Sequence, residues 1–103
     1  MEEIRLNKYG AVLSTRDLGS DIRRDIEIAL DRDNRVTVSF YGLEVITPSF
    51  VDECFGHLLL KMGPEVFKRK IRLTQATDAT KKLITYVFAT RSRQGQTKGN
   101  KAA

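Results

Sequence analysis

The feature that most constrains this chain is a β-branched run that gives way within a few residues to a fully signalled helix. Val36-Thr37-Val38-Ser39-Phe40 has the composition of a strand. Gly42 breaks it, and Thr47-Pro48 follows as a helix N-cap and first helical residue. Val51, Cys54, Phe55, Leu58, Leu59 and Met62 then form a wide apolar stripe that stops at Gly63-Pro64. The same alternation recurs on either side. Ile22, Ile26, Ala29 and Leu30, with Leu18 one turn earlier, predict a preceding helix capped by Ser14, Thr15 or Ser20 and ending at Asp31-Arg32-Asp33-Asn34. Ile71 and Leu73, alternating with Lys70 and Arg72, predict a strand, and Leu83, Ile84, Val87 and Phe88 a helix over 78–90. Ile4-Arg5-Leu6, the Tyr9-Gly10 punctuation and Ala11-Val12-Leu13 suggest two further strands joined as an opening hairpin. The expected order is β-β-α-β-α-β-α, an α/β domain built on a mixed, largely parallel four-stranded sheet, with the hairpin at its edge and helices packed on it.

At 103 residues the chain has room for one such domain, whose core needs no covalent staple, and its single cysteine, Cys54, allows no internal disulfide. The longest apolar run, Leu58-Leu59-Leu60, is far too short for a membrane span, and Met1-Glu2-Glu3 is acidic where a secretory leader is basic. A soluble cytoplasmic protein with no membrane partner is expected. The net charge of +5 points toward nucleic acid until its location is considered. Arg91, Arg93, Lys98 and Lys101 carry +4 among residues 91–103, which hold no acid. The remaining 14 basic and 13 acidic residues leave the body at +1. A domain over 1–90 followed by a disordered basic tail over 91–103 is therefore expected.

Few residues invite chemistry. Cys54 and His57 stand at i and i+3 on one helix, spacing that can make a nucleophilic pair, but Cys54 belongs to the apolar stripe and reads as a buried structural thiol. With one histidine and one cysteine, a structural zinc site would need carboxylates to complete it, and no metal or other cofactor is expected. Asp52 and Glu53, as helix neighbours, diverge by about 100° and suit the positive end of the helix dipole better than an acid–base pair. No glycine-rich phosphate loop follows a strand. Lys68-Arg69-Lys70 and Arg72 place four cations beside or on one strand. With Arg91 and Arg93 they define the alternative reading, a small nucleic-acid-associated protein, against a solvated edge. Tyr9, Tyr41 and Tyr86 are not interleaved with them as a stacking platform would be. Gly56, inside a helix at a cost of about 1 kcal/mol, marks close approach by a neighbouring element or a partner.

The stretch from Val36 to Glu53, with its strand, glycine, Val45-Ile46-Thr47, Ser49-Phe50 and acidic pair, resembles the prokaryotic STAS-like family of unknown function. Residues 3 to about 90 follow that family's order of elements. The family is similar in turn to the STAS anti-sigma-factor antagonists. The resemblance implies a non-catalytic regulatory domain that docks on a histidine-kinase-like ATPase or a sigma-factor regulator through the second helix and the loop before it. Thr47, Ser49, Asp52, Glu53, Gly56, His57, Leu60 and Lys61 are the implied docking residues, the last six sharing one helix face by spacing. The serine that is phosphorylated in the wider superfamily falls on Pro48, and its preceding aspartate on Thr47. The remaining acceptors there are Ser49 and then Thr47. The final strand of many STAS domains has no counterpart.

Overall fold

The computed structural model describes the chain from residue 2 to residue 102, with side chains described for 2–93. Strand β1 (Glu2–Arg5) runs through a 3-10 turn at Leu6–Tyr9 to β2 (Val12–Leu13). Helix α1 (Arg16–Asp33) leads to β3 (Val36–Ser39) and β4 (Val45–Ile46). The second helix is one rod in three parts: α2 (Pro48–Val51), a π-helical stretch (Asp52–Gly56) and α3 (His57–Met62). Helix α4 (Pro64–Lys70), β5 (Ile71–Thr74) and α5 (Asp78–Ala102) complete the chain. Arg91–Arg93, expected in the tail, are helical. From residue 94 onward the side chains of the tail, Lys98 and Lys101 included, lie outside the described residues.

The parallel α/β architecture stands, but the single four-stranded sheet does not. A three-stranded sheet has the order β1-β3-β5, and β2-β4 forms a separate two-stranded one. Both are wholly parallel. The expected hairpin is therefore replaced by two separate parallel pairings, β1 with β3 and β2 with β4. The physical reason lies at Leu6, which is fully buried. An extended strand would also have buried Leu6, on the face of Ile4. The 3-10 turn at Leu6–Tyr9 keeps it inside while ending the strand, and it turns the chain away before Gly10, whose φ of 130° only glycine adopts freely. Leu13, also fully buried, then pairs with Ile46.

Strand alternation divides the larger sheet into two faces. Ile4, Val36, Val38 and Ile71 point into the core, whereas Glu3, Thr37 and Arg72, aligned across the three strands, stand on the other side. Thr15 caps α1 by accepting from the Leu18 N–H at 3.1 Å, and Asn34 ends it with a left-handed φ of 62°. Ile22, Ile26 and Ala29 are buried, as their spacing predicts. The second helix starts at the Thr47 cap and Pro48, as expected, and its stripe enters the core through Val51, Cys54, Phe55, Leu58 and Leu59. Phe55 sits between Phe40 and Phe50, with ring centroids 5.6 and 6.4 Å away.

Two glycines set how closely helices approach. A Cβ on Gly19 of α1 would lie 3.0 Å from both the Phe50 carbonyl oxygen and the Glu53 Cβ, so α1 crosses the second helix nearly backbone to backbone. Gly56, inside the π-helical stretch, is buried. Cys54, Phe55 and Gly56 are buried in succession because the first two enter the core while Gly56 is covered by Arg91 of α5.

Candidate functional site

The N-terminal end of the second helix meets α1 and α5, and their charges interlock there. Asp52 accepts two bonds from Arg91 of α5, Nε to Oδ1 at 2.6 Å and Nη2 to Oδ2 at 2.7 Å. Arg16, at the start of α1, adds a third from Nη1 at 3.1 Å. Hydrogen bonding from Arg91, helped by Arg16, holds the Asp52 carboxyl below the usual carboxylate range against the opposing effect of partial burial. Glu53 accepts from Arg23 at 2.9 Å and from Arg16 at 3.5 Å, and Arg23 also donates to the Glu53 backbone carbonyl. The Arg23 bond is the main reason the Glu53 carboxyl lies low. His57 Nε2 stands 3.7 Å from Glu53 Oε1. Three arginines and two carboxylates thus tie three helices together.

This arrangement revises the part played by several predicted residues. Asp52 and Glu53 do more than favour a helix dipole: each is the anchor of an inter-helix ion pair. Gly56 does mark close approach, and the neighbour is Arg91, because a Cβ there would lie 2.9 Å from Asp52 Oδ1 and 3.3 Å from Arg91 Cγ and Nε. It is buried under that side chain, so it does not form the open centre of a docking face. Arg91, expected in a disordered tail and as a nucleic-acid contact, is instead helical, only 18% exposed and committed to Asp52. Lys61 pairs with Glu27 at 2.9 Å, and Leu60 is 41% exposed.

What remains accessible at this end is a cleft of about 270 Å³ whose lining includes Pro48, Ser49, Asp52, Tyr86, Arg16 and Arg91. Tyr86 is 64% exposed beside it. Thr47 is less available. Its hydroxyl donates to the Ser14 carbonyl at 3.1 Å and accepts from the Phe50 N–H at 3.3 Å, so it closes the helix and fastens it to the β2–α1 junction. Arg16, Arg23 and Tyr86 were not legible as site residues. Nothing local in the sequence marks a cation whose partner lies 36 or 37 residues away.

The residues of the nucleic-acid alternative separate into two places. Lys68, Arg69, Lys70 and Arg72 line one cleft with Arg35, and that lining contains no acidic residue. Arg91 and Arg93 belong to α5. The Cys54 and His57 pair does not assemble as a nucleophile: Cys54 is fully buried, and burial pushes its thiol far above the ordinary range, while His57 faces Glu53. Among the described residues no group of three or more histidine, cysteine, aspartate and glutamate side chains could hold a metal ion. Nor is any described helix long and apolar enough to cross a membrane.

Parallel strands covered by helices, with a capped helix start beside an exposed cleft, define a small α/β domain of STAS-like type. The family described as a STAS-like domain of unknown function matches residues 19–81, and the chain belongs to that family. Searches of curated proteins and of solved structures each gave no significant match.

Proposed function

We propose that the chain is a non-catalytic regulatory domain of the cytoplasm that docks on a protein partner, a histidine-kinase-like ATPase or a sigma-factor regulator. Docking uses the start of the second helix and the loop before it. The observation that carries this reading is the cleft at Pro48 and Ser49, flanked by the exposed ring of Tyr86 and the guanidinium of Arg16. Tyrosine and arginine around a concavity are the residue types that concentrate binding energy at protein interfaces. Behind them, Asp52, Glu53 and Gly56 hold the three helices in register, so the rim is presented on a rigid support. His57, Leu60 and Lys61 extend the same helix away from the cleft. A fully buried Cys54 with a raised thiol supports the non-catalytic assignment.

Within this reading Ser49 is the phosphoacceptor. It lines the cleft together with Asp52 and the two arginines that Asp52 holds, Arg16 and Arg91, so a phosphoryl group there, with nearly two added charges, would compete with Asp52 for both guanidiniums. Thr47, the second candidate, would lose the helix cap on modification. The test is a calorimetric titration of the chain with the kinase-like ATPases and sigma-factor regulators encoded by the same genome. One of them should bind, and Tyr86→Ala should weaken that complex by about tenfold or more. Absence of binding to all of them, or a Tyr86→Ala protein that binds as wild type does, overturns the assignment.

A further inference from the structure

Five of the cations that the interlocked helices leave unused converge at the opposite end of the strands. Lys68, Arg69 and Lys70 close the last turn of α4, where positive charge suits the helix dipole. That accounts for their tolerance but not for what stands next to them. Val36 and Ile71 are register partners at the starts of β3 and β5, so Arg35 and Lys70, each one residue earlier, lead side by side into neighbouring strands. Arg72 follows on the outward side of β5. These five side chains line one cleft of about 360 Å³ that no carboxylate enters. Among the described residues none of the five has an ion-pair or hydrogen-bond partner for its charge, whereas Arg16, Arg23, Lys61 and Arg91 all do.

We propose that this cleft binds the phosphodiester backbone of duplex nucleic acid without reading its sequence. The rest of the lining selects this ligand among polyanions. Its other members are Val36, Ile71 and Leu73, and the first two are buried, so no apolar hole is open to anchor a side chain of an acidic peptide. None of the large exposed hydrophobics, Val12, Ile28, Tyr41, Val45, Leu60 and Tyr86, lines it, which leaves nothing to insert into a lipid surface. The lining also has no aromatic ring on which unpaired bases would stack and no amide to read a base edge. Phosphate contacts by lysine and arginine are what remain. The site is remote in sequence from the Pro48 and Ser49 cleft and is independent of the docking reading.

The experiment is fluorescence anisotropy of the full chain with a labelled DNA duplex of about 20 base pairs at several salt concentrations. Each phosphate neutralised contributes about −0.9 to the slope of log K against log salt, so contacts by five cations give a slope of about −4.5. Lys68→Gln/Arg69→Gln/Arg72→Gln, three exposed positions, should reduce that slope by about 2 to 3 and weaken binding at least tenfold at low salt. The matching control removes three exposed cations elsewhere, Lys8→Gln/Arg24→Gln/Lys82→Gln, at equal net charge. It should retain the wild-type slope to within about 1. No binding by the wild-type chain overturns the proposal, as does an equal loss in the two variants, which would mark a net-charge effect. Displacement of the duplex by poly-glutamate at equal charge concentration would assign the cleft to acidic peptides instead.

Discussion

Replacing Asp52 with Asn removes the charge on which α1, α5 and the second helix converge, and nearly keeps its volume. Asp52 is 23% exposed and Arg91 18%, so the pair is neither free in solvent nor wholly dry. An exposed pair contributes roughly 0–1 kcal/mol, and breaking a fully buried one costs about 3–5 kcal/mol. With two short Arg91 bonds weakened and Arg16 left with Glu53 alone, a loss of about 2 kcal/mol is the expected result. For a domain of this size that corresponds to a drop in Tm of roughly 8–16 °C. The pH dependence makes the reasoning specific. The folded carboxyl titrates below its ordinary value of 3.8, so its stabilisation is fully present above that pH and is lost as pH falls through the folded value. Glu53 is present in wild type and variant alike and its main partner is Arg23, so most of its contribution cancels and the difference between the two proteins is dominated by Asp52. Urea unfolding at neutral pH should show the full gap, and at about pH 3 a smaller one. A variant as stable as wild type at neutral pH, or a gap that stays constant on acidification, would refute the ion-pair account.

Gly56→Ala should lower stability by about 1 kcal/mol, because a helix gain of about 1 kcal/mol is outweighed by displacing Asp52 and Arg91; in an Arg91→Ala background the same change should turn neutral or stabilising, as a double-mutant cycle by urea unfolding will show. Gly19→Val should cost about 2 kcal/mol or more, since its Cβ meets the Phe50 carbonyl at 3.0 Å and backbone cannot step aside; an unchanged Tm would contradict the close helix crossing. Cys54 should resist an aromatic disulfide reagent in the native protein and react at once in urea, and Cys54→Ala should destabilise by about 1–2 kcal/mol; rapid native labelling would show that the thiol is not enclosed.

Local signals carried the elements, and their failure begins where pairing is non-local. Val36–Phe40 and the Thr47-Pro48 helix start are readable because β-branching, capping and the fixed φ of proline act within a few residues. Helix α4 carries end signals in Pro64, Glu65 and the basic run up to Lys70, but at seven residues with only Phe67 buried it is too short for an apolar period to show. The hairpin failed for another reason: alternation at Ile4 and Leu6 states which side chains go inward but not which strand lies alongside, and Leu6 goes inward from a 3-10 turn. The site shows the same division. Gly56 announced a close neighbour, and Asp52 a favourable charge, but that both serve Arg91, 39 residues beyond Asp52, is a property of packing alone.

Once Arg91 is spent on Asp52, the basic character of the chain no longer argues for one continuous cationic surface running from β5 into the tail. It separates into paired arginines that brace the helices at one end of the domain, five unpaired cations gathered in one cleft at the other, and scattered exposed cations such as Lys8, Arg24 and Lys82. The two ends therefore differ in how they respond to salt. Partly buried, bidentate pairs such as Asp52 with Arg91 are screened less than exposed ones, so the rim around Pro48, Ser49 and Tyr86 should keep its geometry at high ionic strength. The exposed cleft at Arg35, Lys68, Arg69, Lys70 and Arg72 loses its attraction under the same conditions. A partner that holds on in about 0.5 M salt belongs to the first end, and one that is released belongs to the second. Tyr86→Ala then affects only the salt-resistant complex, and the triple glutamine variant only the salt-sensitive one. If both variants weakened the same complex, a single partner would have to span the two ends, and the separation argued from the ion pairs would fail.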